Sequence, residues 1–379
     1  MDAETGGVLP VPETGITPAP APRKSFWVWV FQGPQGLRAG WSIAIFLPIA
    51  AVLAVLLSAV EMQIATKYFH HKASHDLAMT PLSAILNDGT MAISLLVAGV
   101  IVALIERRRV SDFYLGGTSP VTKFLSGLVA GFAALSVLVG ALWAGGWLHF
   151  GPVALSGADI VKYAALWGLG FLFVGMTEEG LCRCYLQFTL TRGINFWWAL
   201  GIVLGLCAIL LPWYKSPSVW GIYFFAAAGL LPCLWLYLRK AESSFWYAAW
   251  ASSTFFGFVH TGNNGENWIG VFAAAAVGFA FCVSVWATGS AWWAIGCHAA
   301  WDWAETYFYG TADSGYAARG HLLTTTASGA DLWSGGKDGP EGSLLVLPVI
   351  ALIILMALVQ YGRRKAVPAA VQAVESPVS

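Results

Sequence analysis

Charge is what this chain has least of: Asp, Glu, Lys and Arg make up 11% of its 379 residues, against roughly 25% in soluble domains. The few charges balance, 20 basic against 20 acidic, so no overall bias points to nucleic acid or to acidic substrates. Cysteine is sparse. All six (Cys182, Cys184, Cys207, Cys233, Cys282 and Cys297) fall in apolar segments, which argues against a disulfide framework and for small membrane-buried side chains. HExxH, GxSxG and P-loop patterns do not occur, leaving zincin, hydrolase-elbow and nucleotide readings without a motif. There is no periodic repeat, so solenoids are excluded.

What is present is apolar surface, 58% of the residues. Ten segments approach the roughly 20 apolar residues that a spanning helix needs: 41–60, 83–105, 124–149, 163–190, 196–212, 219–238, 244–261, 268–287, 291–309 and 343–361. The fold class expected is all-α, a polytopic transmembrane helix bundle of about ten spanning helices (8–10). Residues 1–40 read as a Pro-rich, disordered cytoplasmic leader. Its first apolar stretch starts too late for a cleavable signal peptide and is expected to stay as an anchor. N-terminal helices fill 41–149 and a catalytic core fills 163–309, with a helical hairpin, 196–238, inserted in it. A polar loop rich in Gly, Ser, Thr and Asp, 310–342, precedes the last helix and tail, 343–379. Arginines cluster at 107–109, 192, 239 and 363–364, which under the positive-inside rule puts both termini in the cytoplasm and 310–342 outside. A multi-pass protein of the cell membrane is expected.

The fourth segment carries charges where lipid tolerates none. Glu178, Glu179 and Arg183 sit near its middle. Three ionised groups there cost on the order of 8–10 kcal/mol, while its Leu, Phe and Val residues return only about 3–6 kcal/mol. The charges therefore face protein or a wet cavity. Glu179 and Arg183 are four apart, the spacing of an ion pair on one helix face, whereas Glu178 has no partner in its own segment. Phe256 and His260 share a face of the seventh segment, and His298 and Asp302 share one of the ninth. A lone intramembrane histidine is usually an interhelical hydrogen bonder. Two on separate helices beside an unpaired carboxylate point instead to a functional site. The other histidines (70, 71, 75, 149 and 321) read as solvated surface.

EEGLCR (Glu178, Glu179, Arg183), FGFVH (Phe256, His260) and HAAWD (His298, Asp302) resemble EExxxR, FxxxH and HxxxN/D, the three ordered motifs of the CAAX-protease and bacteriocin-processing (Abi) family of intramembrane proteases. The resemblance covers roughly residues 163–309. It implies an intramembrane endopeptidase acting on a membrane-associated or lipidated substrate. Glu178 would be the base that activates water, His260 would help hold that water, and His298 and Asp302 would line the oxyanion site. Glu179, Arg183 and Phe256 would support them. The resemblance leans toward a metal-free site with no cofactor. Zinc held by Glu178, His260 and His298 is the alternative, since one Glu and two His suit a catalytic ion with an open position. This sequence departs from the pattern at Cys184, where Gly is common, and at Asp302, where Asn is commoner. An ionised Asp accepts hydrogen bonds but cannot donate them to an oxyanion, so Asp302 would orient His298 or stay protonated. The stretch from Glu178 to His260 is also longer than expected, which marks out the 196–238 hairpin as an insertion. A catalytically silent scaffold or receptor is the main rival reading. A transporter is a further one, disfavoured because the charges cluster in one region rather than in two matching halves.

Overall fold

With no water to satisfy backbone N–H and C=O groups, an apolar chain in lipid forms helices. The computed structural model describes residues 25–68, 79–241, 243–263 and 265–362, and each of the ten apolar segments is mainly helical in it. The leader up to Lys24, His70, His71 and His75, and the basic residues at 363–365 lie outside the described residues. A short α1 (Phe26–Phe31) and a hairpin, β1 (Gln32–Gly33) with β2 (Gly36–Leu37), lead into α2 (Ala39–Tyr68). Next in the chain are α3 (Pro81–Glu106), α4 (Pro120–Ala144) and α5 (Ala158–Glu179). A π-helical stretch, Gly180–Gln187, joins α5 to α6 (Phe188–Thr191). After α7 (Phe196–Ile209), α8 (Trp220–Leu238), α9 (Ser244–His260) and α10 (Trp268–Thr288) comes α11 (Trp292–Asp302), which continues as a π-helix over Trp303–Tyr309.

Among the described residues six helices are long and apolar enough to cross a membrane: Ala39–Gln63, Pro81–Glu106, Pro120–Ala144, Ala158–Thr191, Pro217–Leu238 and Trp268–Thr288. The other four apolar segments form shorter helices. At 1.5 Å per residue α7 is about 21 Å long, against a hydrocarbon core of about 30 Å, and Pro212 comes after its end. Large apolar side chains such as Val55, Val129, Leu231 and Val359 face outward, as an integral membrane protein requires.

The bundle has an inside and an outside. Of the six long helices α10 is the most buried and α2 the most exposed. α4 and α11 pack backbone to backbone. A Cβ on Gly127 or Gly131 would strike the carbonyl oxygens of Trp293 or Cys297, and one on Gly296 would strike that of Phe124. Small residues are what let membrane helices approach this closely, and this contact sets the depth of the neighbouring His298.

The stretch 310–342 is more than a polar loop. β4 (Leu323–Ala327) pairs antiparallel with β3 (Leu148–Val153), which itself comes after α4 inside the segment read as helix to 149. The short α12 (Asp331–Ser334) comes next, before α13 (Val346–Tyr361). Gly310, with φ +66°, ends the π-helical continuation of α11 in the left-handed conformation that glycine adopts without strain. Residues 310–342 thereby form an ordered cap with buried polar groups, including Thr311, Ser334 and Asp338. The hairpin α7–α8 packs on α9 and α10.

Candidate active site

α5 delivers both glutamates at its C-terminal end, where the backbone turns π-helical. Inserted π-turns are frequent at functional sites because they re-aim side chains. The two carboxylates part company there. Glu179 is fully buried, while the Glu178 side chain remains 32% exposed, its Oε2 buried and without a hydrogen-bond partner.

Arg183 is fully buried too. Its Nε lies 3.1 Å from Glu179 Oε2, and donates to the carbonyl oxygen of Gly278 at 3.3 Å. The guanidinium lies 4.4 Å from the Phe256 ring centre and 5.5 Å from that of Phe281, a cation–π arrangement worth most where water is absent. The Phe256 ring also packs against His260, ring centres 4.7 Å apart. The aromatic residue of the second motif thus contacts both a buried guanidinium and an imidazole.

The i,i+4 pair is half of what Glu179 does. Its Oε1 accepts a hydrogen bond from His298 Nδ1 at 2.9 Å, so one buried carboxylate joins Arg183 on α5's continuation to His298 on α11. That bond fixes the ring and turns Nε2 the other way, 3.7 Å from Glu178 Oε2 and 3.6 Å from Asp302 Oδ2. His260 donates Nδ1–H to the carbonyl oxygen of Phe256 at 2.8 Å, which leaves its Nε2 as the acceptor. Glu178, His260, His298 and Asp302 all line one cavity of about 230 Å³. No residue of 196–238 lines it.

Further acids reach this cavity that were not singled out in the sequence: Asp88 from α3, and Asp313 and Glu341 from the cap. Asp88 carried a usable signal, being ionisable within an apolar segment. Asp313 and Glu341 carried none, because an acid in a polar loop is ordinary. Burial pushes Asp313 up to about 6 and Glu341 up to about 8, in the latter case with the Asp313 charge adding to the effect. Among the described residues, the acid, imidazole and thiol groups that converge tightly enough for one ion are Glu305, Asp313 and Glu341. Glu178, His260 and His298 do not form such a group.

Fold and site together define a class: a multi-pass integral membrane protein with a carboxylate–histidine cavity inside its helical bundle. Residues 233–304 match the family described as Type II CAAX prenyl endopeptidase Rce1-like, consistent with the CAAX-protease and bacteriocin-processing family of intramembrane proteases. The matched stretch holds Phe256, His260, His298 and Asp302, with Glu178, Glu179 and Arg183 upstream of it. Among curated proteins and solved structures nothing matches the chain. At the level of that family the activity is intramembrane endoproteolysis.

Proposed function

We propose that this protein is an intramembrane endopeptidase in which Glu178 activates water against a peptide bond of a membrane-associated or lipidated substrate. The observation that carries the reading is Glu178 Oε2 lying 3.7 Å from His298 Nε2 while His298 Nδ1 is tied to the buried Glu179. Carboxylate and imidazole thereby face one space from two helices, close enough for one water beside them to hydrogen-bond to both.

In this scheme the Glu178 carboxylate takes a proton from water as the oxygen attacks the scissile carbonyl carbon. The carbonyl π electrons move onto oxygen, and a protonated imidazole donates to that oxyanion where water is scarce. Collapse expels the amine, which takes the proton held by Glu178. Glu179 keeps His298 oriented throughout, and His260 Nε2 accepts from the water. Asp302, on the Nε2 side of His298, stabilises the ring when it is charged. Each of these steps uses the chain's own side chains and none is routed through a metal or cofactor. The substrates that fit a site inside the bilayer are prenylated or otherwise lipidated C-terminal tails, with both termini of the enzyme in the cytoplasm.

Membrane-protein termini, compared between cells with the wild-type protein and with Glu178→Gln, test the reading. Cleaved termini disappear with the variant, and the purified variant melts in detergent close to wild type. Wild-type turnover by Glu178→Gln would exclude the mechanism.

A further inference from the structure

Next to this cavity lies a second group of acids that the peptidase scheme does not use. Glu305, on the π-helical continuation of α11, is completely buried, and neither of its carboxylate oxygens has a hydrogen-bond partner. Glu305, Asp313 and Glu341 each offer one oxygen to a trio whose members all lie within 4.8 Å of one another. Asp313 Oδ2 accepts from Thr306 Oγ1 at 2.8 Å. Glu341 accepts from Trp301 Nε1 at 2.7 Å and from Ser314 Oγ at 3.2 Å. These donors brace two of the acids and leave Glu305 with none. A buried carboxylate without a donor is costly, and a second and third carboxylate at this distance add repulsion. A positive charge at the centre of the trio relieves both.

The donor set says which charge. All three ligands are carboxylate oxygens, which suit hard cations rather than zinc or copper. Magnesium sheds water reluctantly and is usually held by one or two carboxylates, whereas calcium accepts a set of three carboxylates and further protein oxygens. We propose that Glu305, Asp313 and Glu341 form a binding site for a hard divalent cation, calcium in the first place. The ion ties the continuation of α11 to the cap at 310–342. Asp313 and Glu341 also line the active-site cavity, so the ion braces one wall of that cavity from behind. Nothing in this proposal depends on the peptidase scheme.

The test uses the full chain in detergent, stripped with a chelator, and terbium(III) as a luminescent stand-in for calcium. The Trp301 indole, bonded to Glu341, is placed to sensitise it. Saturable terbium emission is expected, displaced by calcium more effectively than by magnesium, together with a calcium-dependent rise in melting temperature. Glu305→Gln should weaken half-saturation by at least about tenfold and remove the calcium effect on melting. Glu305→Asp keeps all three carboxylates and should retain measurable terbium binding, which separates loss of the ligand from a Glu305→Gln variant that fails to fold. The titration is repeated with Glu178→Gln. Binding retained there supports the trio, and binding lost assigns the ion to the active site and overturns the proposal. It is equally overturned if the wild-type protein shows neither saturable emission nor a calcium-dependent melting shift. Were Glu305→Gln alone to raise the melting temperature, with calcium inert, shared protons would be the device and not a cation.

Discussion

Arg183 shows what a single residue decides here. It is wholly buried, with one carboxylate, Glu179, as its counter-charge and two aromatic faces around its guanidinium. Removing one member of such a pair strands the other, so Arg183→Ala is expected to cost about 3–5 kcal/mol, read as lost yield and a lower melting temperature in detergent. Glu179→Gln differs in kind. The amide still accepts from His298 Nδ1, yet it leaves Arg183 without its counter-charge and no longer matches a charged imidazole. Stability and turnover should therefore fall together, with the pH–rate profile displaced, whereas Glu178→Gln removes turnover alone. Equal stability of the two glutamine variants would refute this division of labour.

At the scale of elements, the site depends on how closely α4 approaches α11. Gly131 sits against the backbone of Cys297, the residue before His298. Gly131→Ala forces the helices apart, with overpacking typically costing about 1–3 kcal/mol. The more specific consequence is catalytic. A misplacement near 1 Å can cost on the order of 100-fold in rate, so turnover should drop well beyond what the fraction of folded protein explains. Gly140, on the same helix with open space at its Cβ position, serves as the control, and Gly140→Ala should leave turnover and melting nearly unchanged. Similar losses at both positions would remove close packing as the cause. The α7–α8 hairpin lies away from the cavity, so altering its exposed Trp197 or Trp198 should leave turnover nearly unchanged.

At the scale of the whole molecule, the acids outside the membrane segments give a pH signature. Glu266, between α9 and α10, is buried and its carboxyl is pushed up to about 10, chiefly by burial and then by the charges of Asp338 and Glu341. Its folded-state value lies above the unfolded one near 4.5, so the folded protein binds the extra proton between the two values. Stability is then greatest below about 4.5 and declines as pH rises toward 10. Melting temperatures measured from pH 5 to 9 should fall for the wild-type protein, and Glu266→Gln should flatten the slope. An unchanged slope would show that another group governs it. Topology is testable at the same scale. With Cys207 replaced by Ala, Gln32→Cys should label from the cytoplasmic side of sealed vesicles and Thr326→Cys from the opposite side. Labelling of both from one side would overturn the arginine-based orientation.

Sequence alone determined the features that depend on neighbours along one helix. Apolar runs require helices in lipid. A four-residue spacing puts Glu179 with Arg183, Phe256 with His260 and His298 with Asp302, because 3.6 residues complete a turn. The charge excess of the fourth segment demanded a protein interior, and its order with the two histidine helices carried the family resemblance. Only the tertiary structure decided the rest. Glu179 serves Arg183 and His298 at once through a contact between helices far apart in the chain. Asp313, Glu341 and Glu305 converge because the 310–342 cap folds onto the end of α11, through a strand pairing of β3 with β4 that no local periodicity announces. Which surfaces meet depends on side-chain shape and glycine contacts summed over the bundle, and that information is spread across every helix rather than written in any one segment.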